Sequence, residues 1–225
     1  MKHDIAGYDF GRQALEAKLA GILAELAMPK LQNAPLISLH PTQLTVGMIV
    51  VRDKKKHLAE LTAAQQQDFL QAHPMPGVLG PKGALYITDH HHLGRAALDA
   101  GLDSAFVCVE EDFSDHDPDK FWKAMNKNQW VHPLDANGVR HYYTTLPQHL
   151  DKLVDDPYRS LAGYVRDAGG FDKTPTAFAE FIWADFFRRN VPVEDVQADF
   201  KSAVQAALPL AQCRLAKGIP GFNGK

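Results

Sequence analysis

One short stretch of the chain predicts a strand, a helix and a second strand in direct succession. A short apolar strand over 84–88 leads straight into Asp89-His90-His91-His92. These residues open a helix over 90–100 that closes on Gly101, and a buried strand follows over 105–109. This unit makes the first half of the chain a mixture of sheet and helix.

The segments before this unit add helices and further strand-like sequence. An amphipathic helix is predicted over 11–27, and 36–51 is strand-like. The basic patch 52–57 is predicted to be a solvated loop, with cations that reach an anionic ligand as the alternative. Thr62 is the predicted cap of a helix over 63–72.

The second half of the chain shows helical periodicity almost throughout. The predicted helical segments are 117–128, 146–153, 158–168, 175–189 and 193–207, and 218–225 is predicted to be a loose tail. The expected fold class is α+β, with a small mixed sheet and helices followed by an all-helical C-terminal half. The expected division is an N-terminal helix and connector over 1–35, an α+β domain over 36–112 and a helical region over 113–225.

Composition excludes several classes of function. The net charge is −3 with histidine neutral, so no general basic field is present to hold a nucleic-acid backbone. The two cysteines form neither a disulfide framework nor a CxxC zinc pattern. No serine nucleophile elbow, P-loop or dinucleotide-binding glycine motif occurs. Without a signal sequence or a membrane-length apolar run we expect a cytoplasmic protein, and a trimmed export signal stays open.

Three interpretations of the Asp89-His90-His91-His92 run compete. A helix begins with unpaired backbone N–H groups and the positive end of its dipole, which favours phosphate held with one or two imidazoles. Zinc, iron or manganese is the second candidate, but neighbouring side chains on a helix point about 100° apart and do not converge easily on one ion. In the third interpretation, Asp89 caps the helix and the histidines are half-exposed.

The phosphate interpretation assigns a role to each polar side chain of this turn. His90, His91 and Arg95 are the candidate phosphate-binding residues, and Arg95 lies one turn after the histidines. Asp89, His91 and His92 are the candidate catalytic residues, with Asp89 as base or metal ligand and His92 as acid or further ligand. A surface ion pair is the alternative role for Arg95.

An ordered set of features extends over residues 36–112. They are a proline-containing strand at 37–44, the helix over 63–72, Pro76-Gly77-Val78-Leu79, the strand and histidine run at 85–92, the helix at 95–101 and the strand over 105–109. In this order they resemble the ParB-like N-terminal domain of the ParB/sulfiredoxin superfamily, most of all its ParB-like nuclease branch.

The histidine run resembles a motif of this superfamily. In its free-serine kinases the turn is Asp-Gly-His, then a polar residue and Arg, and it supports phosphoryl transfer. This chain aligns with that motif without gaps from Asp89 onward, so His91 takes the position of the motif histidine. His90 stands at the motif glycine and Leu93 at the motif arginine, and the catalytic cysteine of sulfiredoxins has no counterpart.

The resemblance implies a ParB/sulfiredoxin-like fold over 36–112 and an enzyme that acts on a phosphate-containing substrate. The expected activity is that of a nuclease (phosphodiesterase) or a nucleotide-dependent phosphotransferase. A divalent metal (Mg or Mn) and a nucleotide are the candidate cofactors. Expected partners are a phosphate-containing small molecule or nucleic acid, and no membrane. The alternatives are a non-catalytic module that binds a nucleotide or partner protein, and a structural protein with an inactive site.

Overall fold

The computed structural model of the chain describes residues 30–224. Its strands are β1 (Lys30–Pro35), β2 (His40–Pro41), β3 (Thr45–Val46), β4 (Met75–Leu79), β5 (Leu85–Ile87), β6 (Ser104–Asp112) and β7 (Val154–Asp155). Its helices are α1 (Met48–Ala59), α2 (Ala63–Ala72), α3 (His91–Asp99), α4 (Pro118–Lys127), α5 (Pro157–Asp167), α6 (Ala179–Asn190), α7 (Val193–Ala198) and α8 (Phe200–Gln212). The helix predicted over 11–27 lies outside the described residues.

A five-stranded mixed sheet in the order β1-β6-β4-β5-β2 forms the centre of the first half. Strand β4 pairs antiparallel with β5, where Gly77 lies opposite Ile87, and parallel with β6. Strand β5 also pairs in parallel with β2, and β3 pairs with β7 in a separate two-stranded sheet. The prediction of an α+β fold with a small mixed sheet is confirmed.

The predicted strand–helix–strand unit is confirmed as β5, α3 and β6. Helix α3 buries Leu93, Ala96 and Ala97 in the core of the sheet half. Gly94 permits close packing, since a Cβ atom there would lie 3.1 Å from Leu150. The helix ends where Gly101 adopts a φ of 80°, a conformation that costs glycine little.

Two predictions for the segment before α2 are wrong. The stretch 36–51, predicted as strand-like, contains a 3₁₀ helix at Leu36–Ser38, the short strands β2 and β3, and the start of α1. The basic patch 52–57, predicted as a loop, lies within α1. Val51 and Leu58 of α1 are buried while the patch between them is exposed, which is the pattern of an amphipathic helix.

The C-terminal half is mostly helical, as predicted, but loops and short 3₁₀ turns occupy residues 129–153 before β7. The segments 117–128, 158–168 and 175–189 correspond to α4, α5 and α6. The segment 193–207 is divided into α7 and α8, because the side chain of Asp199 accepts the Ser202 N–H at 3.1 Å and caps α8. The predicted helical segment 146–153 contains only a 3₁₀ turn at its end.

The predicted loose tail is instead fastened to the helical half. The indole N–H of Trp183 donates to the Pro220 carbonyl at 2.8 Å, and the Gly221 carbonyl accepts the Asp172 N–H at 2.8 Å. Trp183 is fully buried and stacks on Phe171 with 4.1 Å between ring centroids. The prediction of a loose tail over 218–225 is therefore wrong for its described residues.

Three hydrophobic clusters hold the described part of the chain together. The first lies around the sheet and α1–α3, and the second lies within α5–α8. The third joins Val78 of the sheet half to Phe121 and Met125 of α4, so apolar contacts cross the predicted boundary at residue 112. The division into three domains stays a prediction. Among the described helices, none is long and apolar enough to cross a membrane.

Replacing Gly47 by alanine is expected to lower the free energy of unfolding by about 1–3 kcal/mol, because overpacking strains a close backbone contact. A Cβ atom at Gly47 would lie 2.5 Å from the backbone nitrogen of Ser160 in α5. Gly163 of α5 provides the control, since its Cβ atom would meet only Val50 at 3.7 Å. In urea denaturation, G47A should have a lower midpoint than the wild type, whereas the midpoint of G163A should not be lowered. Equal midpoints for G47A and the wild type would contradict this contact.

Candidate functional site

The turn between β5 and α3 leaves the start of the helix open. His90 occupies the N-cap position with a left-handed φ of 61°, and no side chain caps α3. Asp89 lies one residue earlier, where its Oδ1 accepts the His90 N–H at 2.6 Å. Asp89 is therefore not the helix cap that the structural interpretation predicted. The first turn of α3 keeps unpaired N–H groups that favour an anion.

His91 and His92 fasten the turn to the neighbouring segment 42–47. His91 is 3% exposed, and its Nε2 accepts the backbone N–H of Thr42 at 3.0 Å. The Nε2 of His92 accepts the backbone N–H of Gly47 at 2.9 Å. An imidazole nitrogen that accepts an N–H carries no proton, so both side chains are neutral in these contacts.

Burial is the main cause of the low pKa of both imidazoles. It lowers the pKa of His91 to about 3, against a smaller opposing effect of the Asp89 carboxylate. The pKa of His92 also lies well below its usual value, first through burial and then through the positive charge of Arg159. Their neutral state is thus held by the fold.

Arg95 is engaged away from the turn. Its Nε donates to the two carboxylate oxygens of Asp99 at 2.9 and 3.0 Å. Its Nη1 donates to the carbonyls of Leu153 at 3.0 Å and Leu150 at 3.3 Å. These contacts tie α3 to the segment before β7, which agrees with the ion-pair alternative for this side chain.

A cavity of about 390 Å³ lies beside the turn. Of the predicted site residues, Asp89 lines it, whereas His90, His91, His92 and Arg95 do not. The structure therefore does not bring the predicted set together in one cavity. The cavity is polar, and its charged lining residues include Asp89, Glu110, Arg159, Arg166, Lys173 and Glu180.

Glu110 supplies a second carboxylate from β6. The pKa of its carboxyl group is raised by burial first and then by the negative charge of Asp89. This coupling places the two carboxyl groups within electrostatic range in one cavity. The sequence analysis did not single out Glu110, although a carboxylate directly after the buried strand 105–109 was a usable signal.

Arg159 reaches the cavity from the first turn of α5 and is only 5% exposed. Its Cζ lies 3.7 Å from the centroid of the Phe181 ring, so an aromatic face covers the guanidinium. Its Nε and Nη1 have no hydrogen-bond partner among residues 30–224. Burial lowers the pKa of Arg159 to about 10, while Asp156 and Asp89 act in the opposite direction. The side chain stays charged near neutral pH.

The aromatic residue Trp130 also lines the cavity. Trp130 packs against the third hydrophobic cluster and still borders the cavity. His132 nearby lies against Phe181, with ring centroids 3.7 Å apart, and burial lowers its pKa to about 4.

The described residues contain no group of three or more His, Cys, Asp or Glu side chains that could hold a metal ion by themselves. Of the four carboxylates that line the cavity, Asp89 belongs to the turn before α3, and Glu110 lies close enough to feel its charge. Mg²⁺ is commonly bound by one or two carboxylates together with substrate phosphates. The residues thus fit a metal ion only if a phosphate group shares its coordination.

Fold and site together define an α+β protein whose strand-to-helix turn borders a polar cavity. The family model described as "Putative ParB-like nuclease" matches residues 32–189, and the chain belongs to this family. The resemblance found in the sequence is thereby confirmed. The matched range contains all six charged residues named for the cavity.

A solved structure is also similar to this chain. The crystal structure of protein Atu1540 from Agrobacterium tumefaciens shares 38% sequence identity, with a TM-score of 0.82. The similarity covers 88% of this chain and 98% of that one. No curated protein matches the chain.

Proposed function

We propose that this chain is a phosphodiesterase of the nuclease type, which hydrolyses a phosphate ester bound in the polar cavity. The observation that carries the proposal is the pair of carboxyl groups, Asp89 and Glu110, that line one cavity beside the uncapped start of α3. Membership in the ParB-like nuclease family supports the same chemistry. The substrate is a phosphate-containing small molecule or an accessible nucleic-acid strand.

The two carboxyl groups suit opposite proton transfers. The raised pKa of Glu110 favours a protonated form that donates to the leaving oxygen, while Asp89 accepts a proton from water. The water oxygen then forms a bond to phosphorus as the ester P–O bond breaks. The positive end of the α3 dipole, which begins two residues after Asp89, favours the negative charge of the phosphate oxygens.

If a Mg²⁺ or Mn²⁺ ion binds, the ionised carboxylates of Asp89 and Glu110 would hold it together with phosphate oxygens, in place of their acid and base roles. It would supply positive charge beside the phosphate and lower the pKa of a bound water. The acid role of Glu110 and the base role of Asp89 apply to the protein without a bound metal ion. Activity is therefore to be measured both with and without added metal.

The D89N substitution is expected to lower turnover by about 10²–10⁴-fold, because it removes the base while keeping the size of the side chain. The control is D68N: Asp68 is exposed on α2 and does not line the cavity. Hydrolysis of bis(p-nitrophenyl) phosphate and of a single-stranded oligonucleotide should be followed with Mg²⁺, with Mn²⁺ and with EDTA.

Equal turnover by D89N and the wild type would contradict the role of Asp89. A nucleotide that raises the melting temperature of the wild type without any turnover would contradict the enzymatic function. That second result would instead favour the non-catalytic nucleotide-binding module.

A further inference from the structure

We propose that Arg159 is the phosphate-binding residue of the cavity, supplied by the helical half of the chain. This inference rests on the proposed function because it concerns the same cavity. It identifies the side chain that binds the phosphate group of the substrate there. Arg159 lies outside the histidine turn and outside the segment 36–112 in which the sequence placed the site.

The burial of Arg159 without acceptors is the first argument. Burying a guanidinium to 5% exposure with two nitrogens that have no hydrogen-bond partner among residues 30–224 is energetically unfavourable. Because Arg159 lines the cavity, a ligand there can reach it. An oxyanion would provide the missing acceptors and the opposite charge at the same time.

The neighbouring carboxylates are already committed to other arginines. Glu180 forms an ion pair with Arg166, and its Oε2 lies 3.6 Å from Nη1 of Arg159, beyond hydrogen-bond distance. Asp156 accepts from Arg188 at 2.5 Å and from the Tyr158 N–H at 3.0 Å. The contact between Glu180 and Arg159 is thus an ion pair without a hydrogen bond, and among residues 30–224 no acceptor reaches Nε or Nη1 of Arg159.

The position of Arg159 is fixed on both sides. The Tyr158 hydroxyl donates to the Val191 carbonyl at 2.7 Å, and the Ser160 hydroxyl accepts the Ile49 N–H at 3.2 Å. The Phe181 ring covers one face of the guanidinium. Such a side chain binds an anion without first having to be ordered, which favours affinity.

Phosphate is the chemical class that fits this environment. Arginine provides several N–H donors in a rigid plane, which match the oxygens of a tetrahedral phosphate. The cavity volume of about 390 Å³ lies in the range of small-molecule sites. Inorganic phosphate, a nucleoside monophosphate and a phosphodiester share this chemistry, and direct binding measurements distinguish these sources.

The test compares wild type, R159M and R159K by titration calorimetry with inorganic phosphate, a nucleoside monophosphate and a short single-stranded oligonucleotide. We expect R159M to weaken binding by roughly ten- to a hundredfold, because a charge-assisted contact is lost. R159K keeps the charge and should lose less. The control R140M removes an exposed arginine that contacts Asn126 and Tyr143 and does not line the cavity.

A measurement on the wild type keeps the proposal testable if R159M does not fold. Phosphate should shift one arginine Nε–H resonance in the NMR spectrum, and that resonance should be missing from R159K. Unchanged phosphate affinity in R159M, or no arginine resonance shifted by any of the three ligands, would overturn the proposal.

The binding test and the turnover test can fail separately. If the protein shows no turnover but its phosphate binding depends on Arg159, the role of Arg159 is supported and the proposed hydrolysis is contradicted. Hydrolysis undiminished in R159M would overturn the role of Arg159 and leave the hydrolytic function in place.

Discussion

The H91A substitution is expected to lower the free energy of unfolding by about 3–5 kcal/mol, the largest effect of a single change near the turn. Alanine removes the acceptor for the backbone N–H of Thr42, which then stays buried without a partner. It also leaves a void where an imidazole only 3% exposed had packed. Both costs fall on the contact that joins α3 to the segment 42–47.

The H91Q substitution separates this structural role from catalysis. A glutamine side chain can present Oε1 near the position of the imidazole Nε2, so H91Q should lose less than about half as much stability as H91A. If His91 acts only through this contact, folded H91Q also keeps most of the turnover of the wild type. If His91 takes part in catalysis, as the sequence predicted, folded H91Q loses turnover as D89N does.

Urea denaturation and the phosphodiesterase assay measure the two effects on the same samples. The control is H57A, since His57 is exposed on α1. We expect H57A to change the free energy of unfolding by less than about 1 kcal/mol. An H91A protein as stable as the wild type would contradict the structural role of His91.

Local patterns in the sequence were sufficient for the main elements of the fold. The unit β5–α3–β6 was predictable because apolar alternation and helical spacing depend on near neighbours in sequence. Helix α2 was predictable for the same reason, since Thr62 and Gln65 form a capping box. Helix α1 was not predicted because the continuous polar run 52–57 is also typical of a loop. The only buried side chains of this helix, Val51 and Leu58, are two helical turns apart.

The candidate site was predictable only in part, because its residues meet through tertiary packing. Asp89 lines the cavity, and helix geometry correctly indicated that His91 and His92 do not converge, since they accept from two different backbone groups. The sequence around Arg159 shows only the start of a helix after Asp156 and Pro157. Nothing local indicates that Arg159 is buried without acceptors or that Glu110 lies in the same cavity.

His90 adopts a backbone conformation that is uncommon for residues other than glycine, with a φ of 61°. The free-serine kinase motif that this turn resembles has glycine at this position. A residue with a Cβ atom costs roughly 1 kcal/mol or more in this conformation.

Stability should fall as the pH is lowered below neutrality, mainly through the buried histidines. The pKa of His91 is about 3 in the folded chain and near 6.5 when unfolded, and that of His132 is lowered to about 4. Below pH 6.5 the histidine binds a proton in the unfolded chain but not in the folded chain. The free energy of unfolding therefore falls with pH until the pH reaches the pKa of the folded state. At about pH 5 each of these two groups costs about 2 kcal/mol relative to neutral pH.

Four further groups refine this expectation. The lowered pKa of His92 acts in the same direction as that of His91. Asp156 acts in the opposite direction, because burial raises the pKa of its carboxyl group and the folded chain then takes up a proton more readily than the unfolded chain. His40, whose pKa is lowered first by burial, acts with the other histidines, and Glu110 acts with Asp156. The net effect is still a loss of stability on acidification, since among the described residues four histidines with a lowered pKa oppose two carboxyl groups with a raised pKa.

The H91Q variant isolates the contribution of one histidine to this pH dependence. Glutamine does not titrate, so the loss of unfolding free energy between about pH 7 and about pH 5 should be smaller in H91Q than in the wild type by about 2 kcal/mol. Urea denaturation of both proteins at each pH gives the difference directly. Parallel pH profiles of H91Q and the wild type would mean that His91 binds its proton equally well in the folded and unfolded chain. That result would contradict the buried, neutral imidazole that joins α3 to Thr42.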